Sequence, residues 1–354
     1  MIEHSFTRRR LLAGLAAGAA VTLSARYAKA GPVDDVLATP SVDLHSHAGG
    51  RLVSGKSVYD VANRMVQGGF GIVTIAAIAD SAVIGNQGGA IKAVRAPAPG
   101  ELFASVGRQL DTIGEMVAQQ GFVRILKSND VATAYAARKA GLILAVEGAD
   151  FLEGKIERVK WAYDRGVRHL QLVHYRVNEL GDIQTEDPVH KGLTALGAEV
   201  VAECNRLGII VDVAHATAEM TAVVARIAKA LLVMSHGGIT SEAPRARSRM
   251  MSLEHAKAIV GTGGIIGMWP AGQLFRNVDV WAGYIAKMTS VIGVDHVAIG
   301  TDMEGGIDEV FADFATYPKV IESLLSKGLS AADVAKIVGG NHARVFNSVA
   351  AAAG

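Results

Sequence analysis

Histidines and carboxylates recur at the downstream ends of short apolar runs in this chain, and that placement is what could do chemistry. His45 and His47 close SVDLHSH, Glu147 closes LILAVEGAD, His174 closes HLQLVH, His215 closes IIVDVAHA, His236 closes LLVMSH and Asp302 closes HVAIGTD. Imidazole and carboxylate are donors for divalent metals, and imidazole suits zinc. His45 and His47 are two apart, a spacing that points both rings the same way from a strand, so both can reach one ion. Glu147 emerges from an apolar strand, where a carboxylate must be paired or bound. It can bridge two cations, or it can form a salt bridge to an arginine. His215 and His236 end consecutive runs. Each alone reads as an ordinary satisfied histidine; together they can hold a second ion.

The remaining groups suit a hydrolysis. Asp302 can take a proton from a metal-held water and deliver it to a leaving group. His174 can donate a hydrogen bond to the oxyanion formed by attack on a carbonyl, or it can serve packing alone. Arg245, Arg247 and Arg249 follow His236. A guanidinium grips a carboxylate through two parallel hydrogen bonds, so one of the three could fix the carboxyl end of a substrate, and the others read as a solvated basic loop. His169, His190, His255, His296 and His342 lack this logic and read as structural.

The elements that must position these groups alternate in type. Strands are expected over 41–46, 70–78, 142–149, 169–174, 209–216, 231–236, 263–269 and 296–302, mostly as continuous apolar runs of the kind found in parallel sheets covered on both faces. Helical spacing lies between them, as in LTALGAEVVAECNRLG, which ends at Gly208. Eight such alternations predict an α/β fold, a (β/α)8 TIM-type barrel, with all strand ends converging on one face. The interval between the second and third strands is long. It reads as a Gly/Ala/Pro-rich loop, ADSAVIGNQGGAIKAVRAPAPG, then a helix, and a loop this long suggests a lid or binding element.

The 354 residues, half of them hydrophobic, with 40 glycines, fit one large domain over 31–354. The net charge of +1 and the absence of a basic stripe exclude nucleic-acid binding as an expectation. Arg8, Arg9 and Arg10 precede an apolar run from Leu11 to Leu23, and Ala28-Lys29-Ala30 offers a cleavage site. This is the layout of an export signal of the twin-arginine type over residues 1–30, which implies a periplasmic enzyme. The run is short of the ~20 residues of a spanning helix, so no stable membrane span is expected. The single cysteine, Cys204, cannot form an internal disulfide and reads as a buried small hydrophobe.

The strand-end series resembles the membrane (renal-type) dipeptidase family of zinc peptidases, within the amidohydrolase-like barrels. The resemblance runs from about Ser41 to Phe346, through LILAVEGAD, GVRHLQLVHYRVNELGD, GLTALGAEVVAECNRLGIIVDVAHAT, MSHGG, GVDHVAIGTDMEGG and GGNHARVF. It implies two zinc ions. His45 and the neighbouring His47 would hold the first, Glu147 would bridge, and His215 and His236 would hold the second. It further implies that His174 contacts the scissile carbonyl oxygen, that Asp302 handles the proton, and that Arg249, with Arg247 as the alternative, binds the substrate carboxylate. The family usually carries His-x-Asp where this chain has His45-Ser46-His47. The expected activity is hydrolysis of a dipeptide, with a homodimer left open. The alternatives are an amidohydrolase acting on another amide, lactone or ester, and a periplasmic binding protein without catalysis.

Overall fold

Eight parallel strands follow one another around a barrel in the order of the sequence. The computed structural model describes residues 31–49, 60–240, 248–306 and 308–353. The barrel strands are β1 (Val42–Ser46), β2 (Ile72–Ile78), β3 (Gly141–Glu147), β4 (Val167–Gln171), β5 (Ile210–Asp212), β6 (Val233–Ile239), β7 (Ile265–Met268) and β8 (Val297–Ile299). Each pairs in parallel with the next. The ring closes between the last strand and the first. There the Asp302 N–H donates to the His45 carbonyl at 2.9 Å and the His47 N–H to the Met303 carbonyl at 2.8 Å.

Helices cover the outside, and the period of two along each strand explains why. Val73, Leu142, Leu144 and Val211 face outward and share one core cluster with helix residues such as Leu110, Val159 and Val200. Alternate residues face inward. Leu44, Ile72, Ile143, Ile210 and Ile265 fill the lower barrel, where the C-terminal helix Asn341–Ala352 packs Val345, Phe346 and Val349 against them. The floor is therefore dry, and the open end lies at the C-terminal ends of the strands.

The eight expected strands are all present, but several are shorter than their apolar runs. β5 covers only Ile210–Asp212 and β8 only Val297–Ile299. His174, His215 and Asp302 therefore sit on the loops just past β4, β5 and β8 rather than on the strands. The reason is in the backbone: His215 and Asp302 have positive φ, 66° and 54°, which ends the extended conformation. Non-glycine residues held there cost energy and are concentrated at functional sites. The helix expected to end at Gly208 is Ala195–Leu207, capped by Gly208 at φ 74°.

The long interval after β2 differs from the expected loop. It folds a two-stranded antiparallel hairpin, Ile84–Gln87 with Ala90–Ala93, before the helix Glu101–Gln120. Gly88 and Gly89 form its turn at φ 66° and 86°, a conformation for which a glycine pair is suited. Residues 1–30, which carry the expected export signal, lie outside the described residues, as do Arg245 and Arg247. Among the described residues no helix is long and apolar enough to cross a membrane. Cys204 is buried and unpaired.

Candidate metal centre

Glu147 is the hub of the rim. The last residue of β3, it is buried at 1 % exposure. Its Oε1 lies 3.4 Å from Nε2 of His45, of His215 and of His174, and 3.7 Å from Nε2 of His236. Its Oε2 lies 3.1 Å from His47 Nε2. Burial opposes the charge on this carboxylate, but the surrounding histidines win and hold it well below the ordinary glutamate range.

Two imidazole pairs flank it. His45 and His47 bring their Nε2 atoms to 3.2 Å, and His215 and His236 bring theirs to 3.1 Å. Nitrogens on a tetrahedral ion with bonds of ~2.0 Å sit about 3.3 Å apart, so both pairs have the spacing that divalent ions require. The outer nitrogens agree with this. His47 Nδ1 lies 3.2 Å from the Ala76 carbonyl and His236 Nδ1 lies 3.0 Å from Ser235 Oγ. An Nδ1–H donated to Ala76 leaves the His47 Nε2 lone pair aimed inward. Burial, reinforced by Arg249 for His215 and by His45 for His236, pushes both of these histidines well below the usual imidazole range. They are neutral, as ligands must be. Burial also lowers His47, but the hydrogen bonds it donates to the Asp302 and Glu147 carboxylates outweigh it and bring it up to about 10. The donors present thus fit two divalent cations sharing one carboxylate.

Buried aspartates that the sequence reading passed over hold these ligand candidates in place. Asp43 Oδ1 accepts from the Thr301 N–H at 2.9 Å and the His45 N–H at 3.3 Å, and its Oδ2 accepts from Thr301 Oγ at 2.6 Å. One side chain therefore fixes a ligand candidate on β1 and the residue before Asp302. Asp212 Oδ1 does the same for the other pair, accepting from the Ala214 N–H at 2.9 Å and the Ser235 N–H at 3.0 Å, each directly before a histidine ligand candidate. Its Oδ2 faces His169 Nε2 at 2.9 Å, so His169 supports the rim from below. Asp80 holds His174, with Oδ1 2.7 Å from Nδ1 and Oδ2 accepting the Tyr175 N–H at 3.0 Å. Burial lowers His174, and the charges of Asp80 and Glu147 more than restore it, leaving its pKa raised. The DLH and DVAH patterns were visible in the sequence as carboxylates inside strands, which was the available signal for Asp43 and Asp212. Nothing local marks Asp80.

These groups open into a small cavity of about 80 Å³ at the rim. His47, Glu147, His174, His215, His236 and Asp302 border it on the polar side. Asp302 Oδ1 lies 3.5 Å from His47 Nε2 and 3.8 Å from His45 Nε2. Arg249 also reaches the cavity, steadied by its Nη1 donating to Gln184 Oε1 at 2.8 Å. Beside it stands Trp269, 6 % exposed, whose indole N–H has no hydrogen-bond partner among the described residues. All eight candidate residues of the sequence reading thus converge. Tyr175, Trp269 and the hairpin residues Ile84 and Ile91 join them at the cavity wall.

Comparison with known proteins gives the family and the fold. The profile of the membrane dipeptidase family, peptidase family M19, matches residues 41–354. The dipeptidase aclJ of Aspergillus oryzae is 29% identical over 223 residues, 58% of this chain and 51% of its own. The chain spans about half the length of the curated relatives it matches. Among solved structures, the probable dipeptidase PvdM from Pseudomonas aeruginosa superposes with a TM-score of 0.76 at 18% identity, covering 91% of this chain and 98% of that one. A metallopeptidase from Rhodobacter sphaeroides, liganded with a phosphinate mimic of the dipeptide L-Ala-D-Ala, superposes with a TM-score of 0.74 at 20% identity, covering 88% and 99%.

Proposed function

Because this chain belongs to the membrane dipeptidase family, we propose that it is an exported zinc dipeptidase, with residues 31–354 as one catalytic domain and the periplasm as its site of action. One observation carries the reading: two pairs of imidazole nitrogens, 3.2 and 3.1 Å apart, face each other across a single buried carboxylate, in a cavity that also receives an arginine. The solved relative holding a dipeptide mimic supports the substrate class.

His45 and His47 would hold one zinc ion, His215 and His236 the other, and Glu147 would bridge. Bound there, the ions would polarise the scissile carbonyl and lower the pKa of a water to about 7. The rest falls to the chain's own side chains. Arg249 binds the substrate carboxylate and sets the register of the peptide bond over Glu147. Asp302, at the cavity wall, accepts the proton of the attacking water and returns it to the departing amine. His174 gives its Nδ1 proton to the Asp80 carboxylate in a hydrogen bond, so it can donate from Nε2 to the oxyanion only as the imidazolium. The Asp80 carboxylate on Nδ1 favours that form.

The test is zinc stoichiometry by elemental analysis, together with turnover of dipeptides, lactones and N-acyl amino acids by the purified chain. Two zinc ions per chain and a preference for dipeptides with a free carboxylate are expected. Preferred hydrolysis of lactones, or of amides lacking that carboxylate, would overturn the dipeptidase reading. Full zinc uptake without hydrolysis of any of them would point to a binding protein.

A further inference from the structure

The two ends of the cavity differ in chemistry, and they lie on opposite sides of the barrel. Arg249 follows β6, and Trp269, with its unpartnered indole N–H, directly follows β7. The hairpin grows out of β2, four strands away from β6 in a ring of eight. Its register places Ile84 opposite Ala93 and Asn86 opposite Ile91, so Ile84 and Ile91 share one face, and both line the cavity. Gly85 and Lys92 take the other face. Ile78, the last residue of β2, extends the same wall toward Glu147, with which it pairs across the strands. Glu147 and the imidazole pairs lie between the two ends.

We propose that the hairpin is the specificity element for the amino-terminal residue of the substrate, and that it selects aliphatic side chains there. This rests on the dipeptidase reading. A dipeptide whose carboxylate sits on Arg249, and whose peptide bond lies over Glu147, must run toward the β2 side of the rim. Its first side chain then meets Ile78, Ile84 and Ile91. Those three offer branched apolar surface and no hydrogen-bonding group, so a charged side chain would be stripped of water with nothing in return. The carboxy-terminal side chain stays near Trp269 and Tyr175 and does not reach the hairpin.

The zinc-loaded chain is assayed with two dipeptide series, one varying the first residue (Leu, Ala, Asp, Lys) before a fixed alanine, the other varying the second residue after a fixed leucine. Leu–Ala is expected to exceed Asp–Ala and Lys–Ala by about tenfold or more in kcat/KM, the scale of discrimination by an apolar pocket. Ile91→Asp is expected to shift the Lys–Ala to Leu–Ala ratio by about 100-fold toward lysine, and Ile84→Gln to lower Leu–Ala relative to Ala–Ala, with the leucine-first second series lowered together and unchanged in rank. Both residues are on a surface hairpin, and circular dichroism with zinc content checks that each variant is folded and loaded. If these variants slow every first-residue substrate by one common factor, or reorder the second series instead, the hairpin assignment is wrong while dipeptide hydrolysis stands. If the wild-type chain cleaves no member of either series, the dipeptidase reading falls and takes the assignment with it.

Discussion

At the scale of single residues, Asp302 and His47 carry the sharpest expectations. Asp302 is the only carboxylate other than Glu147 bordering the cavity among the described residues. Asp302→Asn keeps the shape and removes the proposed base, so kcat should fall by about 10²–10⁴-fold while zinc content stays at the wild-type level. Loss of a zinc ion in that variant would mean that Asp302 is a ligand and not the proton carrier. For His47, the proton it carries up to about pH 10 in the metal-free protein must leave when Nε2 takes an ion. Zinc affinity should therefore rise with pH throughout the range below 10, by about tenfold per unit for that one proton. Calorimetric titration in two buffers of different ionisation enthalpy reads the proton directly. His47→Ala should release one fewer, and an unchanged count would remove His47 from the ligand set.

At the scale of elements, three strands approach so closely beneath the rim that side chains are excluded. A Cβ added at Gly300 would stand 1.7 Å from the Ser235 carbonyl oxygen, and one at Gly267 would stand 1.8 Å from the same atom. Ser235 directly precedes His236. Gly300→Ala must therefore push β6 away from β8 and displace the ligand, and it should weaken zinc binding and lower the melting temperature together. A variant with wild-type affinity for zinc, measured by competition with a chelator, would contradict this. These contacts also explain what the sequence made legible. All eight strands could be found because continuous apolar runs mark parallel strands buried on both faces, and the ligand candidates because they stand where those runs end. Strand ends could not be placed to the residue, since the left-handed backbone at His215 and Asp302 is set by the rim and not by local preference. The hairpin carried a readable sign, the Gly88-Gly89 pair between short alternating segments, yet its length and glycine content resemble a plain loop. Asp80 was illegible because its carboxylate meets His174 and Tyr175, which lie 94 and 95 positions away.

At the scale of the whole molecule, buried titratable groups outside the set of ligand candidates contribute to the response to acid. His342, on the helix that closes the barrel floor, is pushed by burial to about 3. It stays neutral when folded, whereas an unfolded histidine takes a proton near 6.5. Its contribution is thus fully present above pH 6.5 and is lost as pH falls from there toward 3, at about 1.4 kcal/mol per unit. Asp43, raised to about 7 chiefly by burial, works in the opposite direction over the same window, so the total need not show the histidine. A comparison does. In urea unfolding of the metal-free chain, His342→Gln should lose about 1.5 kcal/mol less stability than wild type between pH 6.5 and 5. Parallel losses in the two proteins would mean that His342 is not held neutral.

The seam where β8 meets β1 has a consequence for biosynthesis. Thr301 and Met303 reach the backbone and side chains of Asp43, His45 and His47 only after some 260 residues have intervened, and that pairing is what brings Asp302 into place. A nascent chain on the ribosome, even with every imidazole already made, has no working centre until almost its full length has emerged. On the proposed hydrolase reading, turnover waits for this seam and so cannot begin before translation is almost finished.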